Sequence, residues 1–294
     1  MTRRHPRLFS VLIAIGLALG MLGAATPAMA GVDDFTFESL DVQYFLDRDD
    51  AGHSTLRTIE TFVALFPQDD QNKGLVRNIP STYGGTEASD QRRVDTHLHI
   101  VSVTDENGDP VYWETYDAGT GIYGMYIDDD TYKHGRTTYV IEYTQQDVTR
   151  HFDDTGADEF YWDVNGTDWP QPFGTISATV HLGDGVTGAL SGAATCYRGE
   201  YGSDDTCPID ITGDEVSVRE TEVGSYQNVS FAIGFASGTF TPGQTVAQHP
   251  IVRILPWVLL GILVLLVVVI VVLRRTRWAH APGRGIVVAQ YEAP

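Results

Sequence analysis

Cysteine is nearly missing from this chain. Two residues, Cys196 and Cys207, among 294 exclude a multiply cross-linked mini-protein and a Cys-rich zinc module. Basic side chains are scarce too. Nineteen Lys and Arg face 39 Asp and Glu, for a formal net charge of −20, and a nucleic-acid surface needs locally clustered positive charge, so none is expected as a partner. No G-x-S-x-G elbow, no H-E-x-x-H pair and no P-loop occurs in the sequence, and with those patterns absent no enzymatic activity is expected. Helical periodicity is almost absent outside two apolar runs. Apolar residues themselves are plentiful at 43%, enough for a packed core, which excludes wholesale disorder and a collagen-like chain.

The two apolar runs set the expected location. Arg3, Arg4 and Arg7 precede an apolar stretch, Leu8 to Gly23, and Ala28-Met29-Ala30 follows with small residues where a signal peptidase reads them. Residues 1–30 therefore read as a cleaved signal peptide. The second run, Ile254 to Leu273, holds twenty uncharged residues; at ~1.5 Å per residue it reaches about 30 Å, the thickness of the hydrocarbon core. It reads as a transmembrane helix, with Pro256 near its first turn and Trp257 and Trp278 at its two interfaces. Arg274, Arg275, Arg277 and Arg284 follow the span and only Arg253 directly precedes it. The positive-inside rule then places the short basic tail, 274–294, in the cytoplasm and the N-terminal domain outside a cell membrane: type I, single pass. Of the 39 acidic residues, 38 fall between residues 31 and 253, scattered in a manner that suits a solvated, self-repelling surface.

Residues 31–250 are expected to form the exported domain. Leu40, Val42, Tyr44 and Leu46 alternate with polar residues. So do Tyr139, Ile141 and Tyr143; Phe160, Trp162 and Val164; Ile176, Ala178, Val180 and Leu182; and Val229, Phe231, Ile233 and Phe235. Period two with one apolar face is the signature of a half-buried strand. Gly84-Gly85, Asn107-Gly108, Asp184-Gly185 and Thr241-Pro242-Gly243 supply turn chemistry. The expected fold is all-β, an antiparallel sandwich followed by one transmembrane helix. Residues 67–91 read as the longest polar connection, an ordered loop packed by Leu75-Val76 and Ile79-Pro80. The shift to Gly, Ser, Ala and Thr after Gly183 marks a candidate boundary of a smaller β subdomain near residue 183.

Each motif has a competing bland explanation. Cys196 and Cys207 would close a twelve-residue hairpin loop as a disulfide in an oxidising compartment; C-x-x-C redox spacing is absent, and no His lies between 182 and 248 to complete a metal site. GTGIYG, Gly119 to Gly124, matches G-x-G-x-x-G, but a strand and an acidic turn follow where a dinucleotide fold needs a helix, so its glycines read as turn residues. Asp95, His97 and His99 would share one strand face, and no further ligand completes a zinc or copper site. Asp47 to Asp50, Asp105 to Asp109 and Asp128 to Asp130 do not complete an EF-hand and suit turns; a calcium site from two loops is conceivable but not expected. Asp153, Asp154, Asp158 and Glu159 offer carboxylate pairs, but so many acids make some such pairing inevitable. No cofactor is expected. In EFYWDVNGTDWP, Glu159 to Pro170, alternation buries Phe160 and Trp162, turns Tyr161 the other way, and ends at an Asn165-Gly166 turn.

That aromatic-acidic run resembles the corresponding motif of the YciQ-like predicted membrane proteins, domain of unknown function 2207. RTIETFVALFP is similar to the family's early strand, NKGLVRNIP to its Arg-Ile-Pro loop, YVIEYT to its Tyr-rich strand, CYRGEYGSDDTC to a Cys-bounded loop, and FAIGFASGTF to its last strand before the membrane. The resemblance covers about residues 35–294. It implies a signal peptide, an exported β-rich domain and a membrane anchor, and no catalytic residue. Family members continue past a Gln-Tyr-x-x-Pro segment into further spans, whereas Gln290 to Pro294 is the end of this sequence, as for a truncated or split member. The expected role is a membrane-anchored binding module for an unidentified envelope protein or cell-wall ligand. Its expected surface combines Gly74, Arg77 and Pro80 of the 74–80 loop with Tyr161 and Trp169. The alternatives are a membrane-assembly or regulatory subunit acting through span and tail, and an envelope hydrolase.

Overall fold

A computed structural model describes residues 31, 33–84, 93–119, 121–244 and 250–278. The expected signal peptide and most of the tail lie outside the described residues. Strands β1 (Thr36–Arg48) and β2 (Ser54–Phe66) form a long hairpin, followed by β3 (Gly74–Pro80), β4 (Thr82–Tyr83), β5 (Val94–Asp95) and β6 (His99–Thr104). Then come β7 (Glu114–Asp117), β8 (Ile122–Asp128), β9 (Gly135–Gln146), β10 (Arg150–Phe152), β11 (Ala157–Asp163) and β12 (Phe173–Leu182). A one-turn helix, α1 (Asp184–Thr187), precedes β13 (Leu190–Glu200), β14 (Thr206–Cys207), β15 (Ile209–Thr212), β16 (Glu215–Val223) and β17 (Gln227–Phe235). Helix α2 (Pro250–Leu273) comes last and runs into a π turn, Arg274–Trp278.

These strands build a sandwich of a seven-stranded sheet, ordered β15-β16-β12-β1-β2-β9-β6, and a five-stranded sheet, ordered β10-β11-β17-β13-β14. A three-stranded sheet, β3-β8-β7, and the small pair β4-β5 complete it. The alternating residues read from the sequence face inward: Leu40, Val42, Tyr44 and Leu46 of β1 and Ile176 to Leu182 of β12 meet Phe160, Phe231, Ile233 and Phe235 of the other sheet in one core. The Tyr44 ring lies 6.1 Å from Phe160 and 5.8 Å from Phe231, edge-on, the arrangement that aromatic quadrupoles favour. All strand pairs are antiparallel save β1 with β12. Since β2 occupies one edge of β1, β12 returns from the second sheet along the other edge, and the long intervening excursion supplies the crossover that parallel pairing needs.

Three expectations change. The 74–80 loop is strand β3, paired with β8 from Gly74↔Asp128 to Pro80↔Ile122. Its inward positions are Leu75, Arg77 and Ile79, and a charged residue in the middle of that face conceals the period-two pattern. The proposed boundary near 183 divides nothing, because strands from both sides of Gly183 share both large sheets and one core. Asp184-Gly185 begins the single turn of α1. His97 sits at φ +50° between β5 and β6, so Asp95, His97 and His99 do not share a continuous strand face. Gly119 and Gly121 are at positive φ between β7 and β8, which pair as antiparallel neighbours.

Helix α2 starts one turn before the expected span, which puts Pro256 inside it rather than at its start. Leu255–Thr276 is long and apolar enough to cross a membrane, and among the described residues none buries its side chains from Leu255 to Leu273, which are exposed. Cys196 and Cys207 face each other across β13 and β14 and are joined as a disulfide, with Cα atoms 4.9 Å apart. Closing this loop removes denatured-state freedom worth about 2–3 kcal/mol. The Cys196→Ala/Cys207→Ala protein should lose that much stability in urea unfolding, and reductant should leave its midpoint unmoved while lowering the wild-type midpoint. A reductant-insensitive wild type would remove the bridge from the account.

Candidate functional site

Strand β2 places Leu56, Thr58, Glu60 and Phe62 on its inward face, so alternation alone drives one carboxylate into the core. Glu60 is fully buried. Its partner comes from β3. Arg77, 3% exposed, donates from Nε to Glu60 Oε2 at 2.8 Å and from Nη2 to Oε1 at 2.6 Å, a bidentate pairing of planar fork with carboxylate. Tyr143 of β9 adds a third donor, its hydroxyl 2.8 Å from Glu60 Oε1. Burial alone would lower the Arg77 pKa, but the Glu60 carboxylate, through charge and hydrogen bonding, holds it above its ordinary value. Burial, with Glu60 nearby, also pushes the Tyr44 and Tyr143 phenols well up.

Arg77 Nη1 turns the other way, donating to Asn78 O at 2.9 Å and Asn165 O at 3.4 Å. Asn165 is itself buried at the turn after β11. Its carbonyl accepts from Trp169 Nε1 at 2.6 Å, its Nδ2 donates to Gln227 O at 2.9 Å, and its Oδ1 accepts from Val229 N at 3.0 Å. Gly166, at φ +80°, completes the turn and lies against the guanidinium. Thus β2, β3 and the segment after β11 are bound to one another by a single polar cluster.

Above this cluster opens a cavity of about 680 Å³. One wall is β3 with Ile122 and Tyr126 of β8; the other is Tyr161, Trp162 and Asp163 of β11 with residues 165–171. All five residues expected to form a binding surface, Gly74, Arg77, Pro80, Tyr161 and Trp169, line it. Their roles differ from the expectation. Arg77 is committed to Glu60, and Trp169, 9% exposed, packs edge-on against Phe37 and Phe173. Both are floor, not contact surface. A Cβ at Gly74 would overlap the Ile127 carbonyl, so that glycine serves strand packing. Tyr161, 44% exposed, is the accessible ring, with Val76, Pro80 and Tyr126 exposed opposite. Glu60 and Asn165 escaped the sequence reading. The inward register of Glu60 on β2 was the available signal; nothing local marked Asn165 beyond its turn.

The carboxylates have turn duties elsewhere. Asp49 Oδ1 accepts from Ala51 N and His53 N, Asp105 Oδ1 from Asn107 N and Asp109 N, and Asp128 Oδ1 from Asp130 N. Asp129 pairs with Lys133 and Asp130 with Lys73. At the cavity, among the described lining residues, Asp33, Asp128, Asp163 and Asp168 stand against Lys73, which pairs with Asp130, and Arg77, which Glu60 neutralises.

The fold and site define a disulfide-bridged all-β domain with an internal ion pair, followed by one apolar helix. The chain belongs to the DUF2207 predicted membrane proteins, whose N-terminal domain model matches residues 38–235; this is a family of unknown function. No curated protein matches the sequence. Among solved structures, leukotriene A4 hydrolase from Saccharomyces cerevisiae aligns with 74% of this chain and 33% of its own, at 10% identity and a TM-score of 0.40. An M1 zinc metallopeptidase from Deinococcus radiodurans aligns with 69% of this chain and 43% of its own, at 9% identity and a TM-score of 0.34. The chain thus spans between a third and a half of these structures, and scores this low establish no shared chemistry.

Removing one member of a buried pair leaves an uncompensated charge, at a cost of about 3–5 kcal/mol. Glu60→Gln and Arg77→Met should each destabilise the full chain by that order in urea unfolding, while the double variant recovers most of the loss. Strictly additive losses would show that the two side chains are not coupled. Tyr83, which donates to Thr149 O at 2.9 Å, has its pKa pushed up to about 12, chiefly by burial and then by Asp147. Its raised pKa contributes stability that is full below pH about 10 and is lost as pH rises through about 12. Tyr83→Phe should flatten the fall of the urea midpoint across that window; an unchanged slope would contradict the assignment.

Proposed function

We propose that the chain is exported by its N-terminal segment, held by α2 with its basic tail in the cytoplasm, and works outside the cell membrane as a non-enzymatic binding module. The single observation that carries this reading is the cavity between β3 and the segment Tyr161–Gln171. At about 680 Å³ it falls within the ~300–1,000 Å³ typical of ligand sites. A rigid ion-paired floor holds its walls in place, so binding would need little reordering. The disulfide suits an oxidising compartment, and the arginines after α2 suit a cytoplasmic end. The ligand sought is an envelope protein or a cell-wall component.

The reading is tested in intact cells on the full chain. An impermeant maleimide, applied after an impermeant reductant, should label Cys196 and Cys207 without permeabilisation; labelling only after permeabilisation would overturn export. A photoreactive residue in place of Tyr161 or Tyr126 should give a discrete adduct. Tyr112, which is more exposed and is not among the residues that line the cavity, serves as the control, and an equal adduct there would overturn the cavity as the binding site.

A further inference from the structure

Each long wall of the cavity includes a strand edge. Six of the seven β3 residues line it, Gly74 to Asn78 and Pro80. Gly74, Val76 and Pro80 line it on the face they share with Asp128, Tyr126 and Ile122 of β8, and Leu75 and Arg77, of the opposite parity, join them past the backbone edge of β3. That edge lies opposite β8, and β3 is the terminal strand of its sheet. On the facing wall the same holds for Tyr161, Trp162 and Asp163. Strand β10 covers β11 only from Ala157 to Glu159, while β17 pairs its other edge from Asp158 to Asp163. Among the described residues, then, no strand pairs with the outer edge of β3 or with the outer edge of β11 beyond Glu159.

An open edge is a template for another strand, and proteins that avoid this use shorten, bend or cover their edges. At ~3.3 Å per residue the seven residues of β3 reach about 23 Å; the Asn78 and Pro80 carbonyls accept from Arg77 Nη1 and Gln145 Nε2, so Gly74 and Val76 are the positions whose outward N–H and C=O groups an added strand would use. The charge of the lining favours a cationic occupant: among the described lining residues, Asp33, Asp128, Asp163 and Asp168 outnumber Lys73, which pairs with Asp130, and Arg77, which Glu60 neutralises. Val76 and Tyr126, side by side on the exposed face of the β3–β8 pair, and Tyr161 opposite offer apolar contacts between those charges.

We propose that the cavity receives an extended segment of another protein, bearing alternate Lys or Arg residues, as an added β-strand bridging the edges of β3 and β11. Main-chain hydrogen bonds to both edges supply the affinity, and the acidic rim with Tyr161 selects the side chains. This deepens the binding-module reading and rests on it.

The test uses the full chain in nanodiscs and a fluorescein-labelled octapeptide pool in which Lys alternates with Val, Ile, Thr or Tyr. Fluorescence anisotropy should show saturable binding. Methylating the backbone nitrogens of the Lys positions, or of the intervening positions, removes the donors facing one edge or the other, and each should weaken binding at least tenfold. A pool with Glu in place of Lys should not bind, and Asp168→Asn should weaken the Lys pool several-fold. Methylated pools that bind as tightly as the parent, loss with only one methylation pattern, or equal binding of the Glu pool would each overturn the bridging strand. If no pool binds while the Tyr161 adduct still forms, or if an N-acetylglucosamine tetrasaccharide binds instead, strand addition falls and the binding module stands. Absence of both peptide binding and adduct would remove both.

Discussion

The buried pair between Glu60 and Arg77 is the constraint on which the rest of this structure turns. Neither charge can be tolerated alone in the core, since desolvating an unpaired ion costs several kcal/mol. Glu60 is delivered by the register of β2 and cannot leave without shifting every inward residue of that strand, Phe62 among them. Strand β3 must therefore bring its guanidinium to the same place. Once there, Arg77 reaches Asn165 with its remaining nitrogen, and the turn after β11 is drawn against β3. Three sheets are positioned by one ion pair and its hydrogen bonds.

This arrangement explains why the cavity exists. A sandwich with one continuous core has no reason to leave a void of about 680 Å³ at its flank. Here the polar cluster holds β3 and β11 near each other while neither strand pairs with the other. Trp169 closes the base, its indole nitrogen bound to Asn165 O and its ring against Phe37, Phe62 and Phe173. Strands β3 and β11 supply the walls, and the Arg77–Glu60 pair with Trp169 forms a hydrogen-bonded floor, so the open surface is concave and set before any ligand arrives.

The segment that leads toward α2 is fastened to the same fold. Thr241 donates from its backbone to Gly52 O and from its hydroxyl to Ala51 O, fastening the start of the segment that leads toward α2 to the β1–β2 turn. Gly52 is at φ +88° with the Thr241 side chain close upon it, which leaves no room for a Cβ there. The domain is thus tied at its exit point to its longest hairpin.

Much of the fold was legible in the amino-acid order because its signals are local. Alternation along β1, β9, β12 and β17 names their buried faces within a few residues, the twenty-residue apolar run is long by itself, and two cysteines in a short Gly- and Asp-rich segment have few alternatives. The candidate surface came from the loop 74–80 and the aromatic-acidic motif 159–169, both marked by their resemblance to the family, and tertiary structure sets residues of both around one cavity. The amino-acid order could not reveal that 74–80 is a strand, since a strand whose central inward residue is Arg77 shows no apolar period. Nor could it assign Arg77 and Trp169 to the floor, because the carboxylate and the aromatic rings that hold them arrive from strands far away in the chain. Local pattern determined which faces are buried; only the pairing of distant strands decided which edges stay open.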